Sequence, residues 1–185
     1  MLKIIYCLPL FLVLSGTPSS ATEASTPFTV LDGRHAQLLS QPCSRAKPPK
    51  FQDTWQPREG DIKDLEERLS LLQQLKSSLC CHPGGRVKNV HAYYRQYVGI
   101  VVNGRKLIYI NAIEIRSLTE NQSNAEVLCR EFRPHYSDCV RNLNHASDRW
   151  RQQPITACDG GDSFWGAIYN PETKDFSDLA FNGAI

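Results

Sequence analysis

After residue 14 the chain has no apolar run approaching the roughly 20 residues that a bilayer-crossing helix needs, and so predicts no membrane span beyond that point. Charge of one sign is also missing. Its 21 basic and 19 acidic residues nearly cancel, with no Lys/Arg stripe, which removes the electrostatic footprint of a nucleic-acid binder or a polybasic membrane-surface protein. There is no His-x-x-x-His, no His-Glu-x-x-His, no phosphate loop, no dinucleotide fingerprint and no Cys-x-x-Cys. These absences leave no sequence grounds for a zinc hydrolase, a nucleotide enzyme or a thioredoxin-like protein.

What is present first is an address. Lys3 opens a short positive start, Ile4 to Leu14 is apolar apart from Pro9, and Ser19-Ser20-Ala21 fits the small-x-small cleavage rule. This is the pattern of a secretory signal peptide. Removing residues 1–21 leaves 164 residues, enough for one domain with a real core. The expected location is periplasmic or secreted.

Cys7 leaves with the signal peptide. Cys43, Cys80, Cys81, Cys129, Cys139 and Cys158 remain, and an even set in an exported chain reads as disulfides. Adjacent Cys80 and Cys81 are expected to find different partners, since a ring between neighbours strains disulfide geometry. Cys43 is expected to pin the N-terminal arm to the body, and Cys158 to pair with Cys129 or Cys139. Cys80, Cys81 and His82 lack zinc-ligand spacing, so no metal site is assigned.

The chain divides into three regions. Residues 1–21 are the signal peptide, 22–57 a Pro-rich arm and 58–185 one α+β domain. In the arm, Phe28 to Leu31 reads as a short strand ended by Asp32-Gly33. Ile62, Leu65, Leu69, Leu72 and Leu79 form one apolar stripe, which predicts a helix over 61–79 capped by Asp61 and stopped by Pro83-Gly84-Gly85. Tyr93 to Val102 and Arg105 to Ile113 are strand-like and flank Asn103-Gly104, the pair favoured in a two-residue type I′ turn. That turn sets Val102 opposite Arg105, Ile100 opposite Leu107 and Val98 opposite Tyr109. Both faces of the hairpin are apolar, so it belongs in the middle of its sheet. Short helices are expected at 124–132 and 139–153, inside a stapled excursion spanning 114–157. Phe164 to Tyr169 and Phe176 to Phe181 form a second hairpin around Asn170-Pro171-Glu172-Thr173-Lys174. The expected fold is therefore α+β: one amphipathic helix on a mostly antiparallel four-stranded sheet made of two hairpins and stapled by disulfides.

Asp159-Gly160-Gly161-Asp162-Ser163 invites a catalytic reading. A trypsin-like nucleophile segment has two glycines after the serine, where this chain has Phe164 and Trp165, and no Ala-Ala-His-Cys segment supplies a base. Two carboxylates are too few for a calcium loop. The string reads as a structural turn entering a strand, with Phe164 and Trp165 on opposite faces. His35, His82, His91, His135 and His145 are scattered, although His135 lies near Asp138 and Cys139. Asn121-Gln122-Ser123 is a glycosylation sequon. No catalytic, cofactor-binding or metal residue is assigned, and no cofactor.

Tyr94-Arg95-Gln96-Tyr97-Val98-Gly99-Ile100, Asn103-Gly104-Arg105-Lys106 and Tyr109-Ile110-Asn111-Ala112 form one block. Cys158-Asp159-Gly160-Gly161-Asp162-Ser163-Phe164-Trp165-Gly166, Tyr169-Asn170-Pro171 and Phe181-Asn182-Gly183-Ala184 form another. Together they resemble a family of small exported bacterial proteins. The resemblance covers roughly 61–113 and 154–185. It implies a shared fold unit and an exported compartment, and transfers no activity or catalytic residue. By analogy of fold alone, the helix-plus-sheet order is similar to cystatin-like inhibitors. The leading expectation is a non-enzymatic envelope or secreted binding protein with a protein partner, meeting it through exposed aromatics such as Trp165 and Tyr169. The alternative is a small hydrolase using Asp159, Asp162 or Ser163 with a histidine from the excursion.

Cleavage after Ala21 is testable directly. The intact mass of exported protein should correspond to a chain beginning at Thr22, and a mature N-terminus still carrying the apolar run would contradict the signal-peptide assignment.

Overall fold

The computed structural model describes residues 26–77, 82–117 and 149–183. The expected signal peptide, the sequon, Leu79, Cys80, Cys81, Cys129, Cys139, His135, His145 and the helix expected at 124–132 lie outside the described residues. So does most of the helix expected at 139–153; Arg149–Arg151, inside that range, form a single 3-10 turn.

The described residues form an α+β fold on one mostly antiparallel sheet of six strands. In chain order they are β1 (Phe28–Val30), the one-turn helix α1 (Ala36–Leu39), β2 (Asp53–Trp55), helix α2 (Glu59–Arg68), β3 (Tyr93–Val102), β4 (Arg105–Glu114), β5 (Phe164–Asn170) and β6 (Asp175–Phe181). β3, β4, β5 and β6 run antiparallel in sequence order, giving the two expected hairpins side by side. The first hairpin has the register read from its turn: Val102 opposes Arg105, Ile100 opposes Leu107 and Val98 opposes Tyr109. Asn103 and Gly104 both have positive φ, at 51° and 76°, the backbone that a type I′ turn demands.

Four strands and one helix were expected, and the arm supplies the difference. On the free edge of β3, β1 lies parallel to Arg95–Tyr97 and β2 lies antiparallel to Gly99–Val101. One long strand is thus paired along a single edge by two short ones. The prolines that make residues 22–57 look like a tether fall outside both strands, where their missing N–H groups disturb no ladder.

The sheet is covered on both faces. One face packs Tyr93, Tyr97, Ile108, Ile110, Trp165, Ala167 and Tyr169 against Ile62, Leu65, Leu69 and Leu72. The other packs Val98, Ile100, Val102, Leu107, Tyr109 and Ile168 under Leu31, Ala36 and Leu39 of the arm. Each fully buried aliphatic side chain contributes about 1.5–3 kcal/mol, so losing the arm would expose a second core. Cys43 is bonded to Cys158 with Cα atoms 4.6 Å apart. Cys158 therefore pairs with the arm, not with Cys129 or Cys139. A bridge spanning 115 residues of sequence stabilises chiefly by restricting the unfolded chain, commonly by about 2–4 kcal/mol.

The helix also differs from its expectation. α2 covers Glu59–Arg68 and tightens into a 3-10 helix over Leu69–Gln74. Three residues per turn keep Leu69 and Leu72 in one line facing the sheet, which the spacing of the stripe already allowed. Asp61 is the third helical residue, not the cap. Its carboxylate accepts from the backbone N–H of Arg58 at 2.9 Å, half of a capping box in which Arg58 holds the cap position.

The turn assignment can be broken with one substitution. Nothing lies within 4 Å of a Cβ built on Gly104, so the cost of Gly104→Val is backbone strain alone. It should lower stability by on the order of 1 kcal/mol or more, read in a denaturant melt, whereas an unchanged melt would contradict the turn.

Candidate functional site

The Asp159–Ser163 string takes the local form expected for a turn. Gly160 and Gly161 have φ of 105° and 50°, and residues 161–163 make one 3-10 turn into β5. The Gly161 N–H donates to the Gly183 carbonyl at 2.9 Å. Asn182 closes the loop by donating its side-chain amide to the carbonyls of Ala157 (2.8 Å) and Asp159 (3.2 Å). Tyr93 donates its hydroxyl to the Asp162 carbonyl at 2.9 Å. Burial, reinforced by the Glu114 and Asp162 charges, pushes that phenol up to about 12.

A histidine does reach this turn, from before β3 instead of from the excursion. His82 Nδ1 lies 2.9 Å from the Asp162 carboxylate, and its ring packs against Phe181 at 5.5 Å. Ser163 faces elsewhere. Its hydroxyl donates to Glu114 at 2.9 Å. Arg116 beside Glu114 holds the Glu114 carboxyl below its usual range; burial opposes it, and the Ser163 hydroxyl adds a smaller lowering. A nucleophile needs a base in hydrogen-bond reach with an affinity for its proton. Ser163 and Glu114 are in reach of one another, and the His82–Asp162 pair is formed separately from them. Among the described residues no three His, Cys, Asp or Glu side chains converge as metal ligands. His35 and His91 each sit in a different 3-10 turn.

Phe164 and Trp165 do point to opposite faces. Trp165 joins the α2-side core, while Phe164 lines a small cleft beside Arg45 and Asn182 on the other side. Neither Trp165 nor Tyr169 offers itself to a partner, because both are fully buried. Tyr93 packs edge-on against Trp165, with ring centroids 5.5 Å apart. Tyr169 donates its hydroxyl to Asp64. Lys174, 2.8 Å away, then Tyr169 and Arg68 hold the Asp64 carboxyl down at about 2.

The open apolar surface lies where β1 meets α2. Phe28, Val30, Pro57 and Ile62 floor a groove of about 530 Å³, and Glu59, Glu66, Glu67 and a single lysine, Lys63, stand on its rim. Phe28 packs on Tyr97 with centroids 5.7 Å apart. Beneath the rim Arg95, wholly buried, donates to both oxygens of Glu66 at 3.1 and 3.0 Å and to the carbonyls of Tyr93 and Val90 at 2.6 and 3.2 Å. Tyr97 donates its hydroxyl to the same carboxylate, and burial pushes the phenol well above its ordinary value. The cluster fixes the helix against the sheet and so sets the groove's width. Sequence reading registered both walls, the Phe28–Leu31 strand and the leucine-stripe helix. Their meeting depends on long-range pairing, which no local pattern encodes. Outside the groove, the Arg151 guanidinium donates to the carbonyls of Phe28 (3.4 Å), at the start of β1, and of Thr26 (2.8 Å), just before it.

Ser163→Ala tests the structural assignment of the turn. Losing one partly exposed hydrogen bond should cost about 1 kcal/mol or less. The Glu114 carboxyl should titrate higher than in the parent while Arg116 still keeps it below the usual range. A carboxyl-directed NMR titration reads this, and an unmoved Glu114 would contradict the bond.

No protein-family model, curated protein or solved structure matches the chain.

Proposed function

We propose that this chain is an exported, non-enzymatic binding protein, and that the groove between β1 and α2 receives a basic segment of a partner protein carrying an apolar anchor residue. The observation that carries the reading is the groove's chemistry: an apolar floor rimmed by Glu59 and Glu67 against one lysine, Lys63, with the third glutamate, Glu66, already paired with Arg95. An apolar-floored concavity with a few polar groups at its edge is the usual form of a binding site, and the excess negative charge selects the partner's sign. Arg151 already takes the Phe28 carbonyl at the start of β1's outer edge, so recognition is assigned to the side chains of the groove. Export is supported by the N-terminal signal pattern and by the Cys43–Cys158 disulfide, which suits an oxidising compartment. In the Asp159–Ser163 string, the commitment of the Ser163 hydroxyl to a carboxylate of lowered proton affinity supports a structural role over the hydrolase alternative.

Selection of displayed random peptides on the mature protein tests this. Enriched sequences should combine an aromatic or aliphatic residue with flanking Lys or Arg. The double substitution Glu59→Lys, Glu67→Lys changes two exposed positions and should leave the protein folded, with a loss of about 1 kcal/mol or less because Glu59 opens α2 where a negative charge favours the helix dipole. It should weaken the enriched peptide by about tenfold or more, since reversed rim charges repel a basic ligand. Enriched peptides without basic residues, or binding indifferent to the charge reversal, would overturn the proposal.

A further inference from the structure

Two arginines are buried among the described residues, Arg95 and Arg45, and they are treated differently. Arg95 meets the carboxylate of Glu66. Arg45, 8% exposed, meets no carboxylate among the described residues. Its guanidinium donates to the Tyr109 hydroxyl at 2.9 Å, to the Asn111 side-chain carbonyl and, at a long 3.4 Å, to that of Asn182. Its Nε–H is buried with no acceptor among the described residues. A guanidinium cannot escape burial by losing its proton, and a buried charge without a counter-charge costs several kcal/mol.

The sequence has made room for this cation. A Cβ on Gly166 would sit 2.7 Å from the Tyr109 hydroxyl and 3.2 Å from both Cζ and Nε of Arg45, so only glycine lets the guanidinium lie against β5. The acceptors around it are fixed. Asn111 donates its amide to the Gln96 side-chain carbonyl (2.9 Å) and the Ile155 carbonyl (2.9 Å), while Asn182 donates to Ala157 and Asp159. Neither amide can turn to offer more. Beside Arg45, Asn111, Asn182 and Thr156 lies a narrow cleft walled by Leu39, Ile155 and Phe164, with about 10 Å³ for the centre of a water-sized particle. That is room for one small occupant.

We infer that this cleft is a binding site for a single monovalent halide-sized anion, held by the Arg45 guanidinium. Charge selects the occupant, because a water would fill the space and leave the cation uncompensated. Size excludes phosphate and sulfate. Because the arm and the sheet contribute the site together, anion binding ties Arg45, two residues from the Cys43–Cys158 bridge, to β4, β5 and the residues after β6.

The experiment is thermal unfolding of the mature protein in sodium chloride, bromide, methanesulfonate and isethionate at matched ionic strength, salts chosen without sulfate because its exclusion from protein surfaces stabilises folded chains in general, together with anomalous diffraction from crystals grown in bromide. Chloride and bromide should raise Tm saturably by about 2–4 °C over the larger anions, with a bromide peak within contact distance of Arg45. Arg45→Met should abolish the halide-specific increment. Should that variant fail to fold, the wild-type titration and the bromide map still decide. Equal shifts in all four salts would overturn the assignment, as would a bromide peak without a saturable effect in solution, or a halide increment that survives in Arg45→Met.

Discussion

Everything in this fold is arranged around β3, a strand paired along both edges and covered on both faces. β4 takes one edge along its whole length; β1 and β2 share the other. Such a strand leaves its neighbours no alternative positions. The helix must lie over Tyr97 and Tyr93, and the arm must lie over Val98, Ile100 and Val102. Two-sided burial also fixes register strongly, because a one-residue slip of β3 would exchange its two sets of side chains between cores of different shape.

That constraint explains which parts of the fold were legible in the sequence. The β3–β4 hairpin was readable to the residue because Asn103-Gly104 is a local instruction with one backbone solution. The β5–β6 hairpin was readable for the same reason, from Asn170 through Lys174. The arm was read only in part, as the Phe28–Leu31 strand and the Cys43 pin, because its other signals are compositional. Prolines and small polar residues describe a chain without its own core, and they are silent on whether a neighbouring sheet supplies one. Only Phe28 to Leu31 announced a strand there. Asp53–Trp55 is too short for periodicity to show and exists because half of the β3 edge would otherwise be unpaired. The Cys158 pairing was missed on the same account. Its partner lies 115 residues away, and proximity in sequence favoured Cys129 and Cys139.

The candidate sites were less legible than the fold. Trp165 and Tyr169 looked like contact residues because aromatics serve interfaces well. Here they are structural, Trp165 filling the core and Tyr169 pinning Asp64. The groove was invisible in the sequence because its walls are far apart along the chain and meet only through long-range pairing. Arg45 was invisible for a subtler reason: nothing local distinguishes a buried arginine from an exposed one in a Pro-rich stretch. The one trace it leaves is Gly166, a glycine inside a strand, which signals close approach of another group.

Arg95 and Arg45 show how the two faces differ in what they can respond to. On the α2 face the cation is satisfied internally by Glu66 and Tyr97, so the helix position is set by the protein itself and the groove beside it is preformed. A preformed groove loses little ordering entropy on binding, which suits a surface that captures a partner. On the arm face the cation has only neutral acceptors among the described residues, and its covering layer is a short helix, a disulfide and loop backbone. β1 is held between these layers: Phe28 packs on Tyr97 toward the α2 side, while Leu31, next in sequence to Val30, packs under α1. Ordering the arm around Arg45 therefore steadies the same strand that forms one wall of the groove, and the two sites share a mechanical element without sharing a residue.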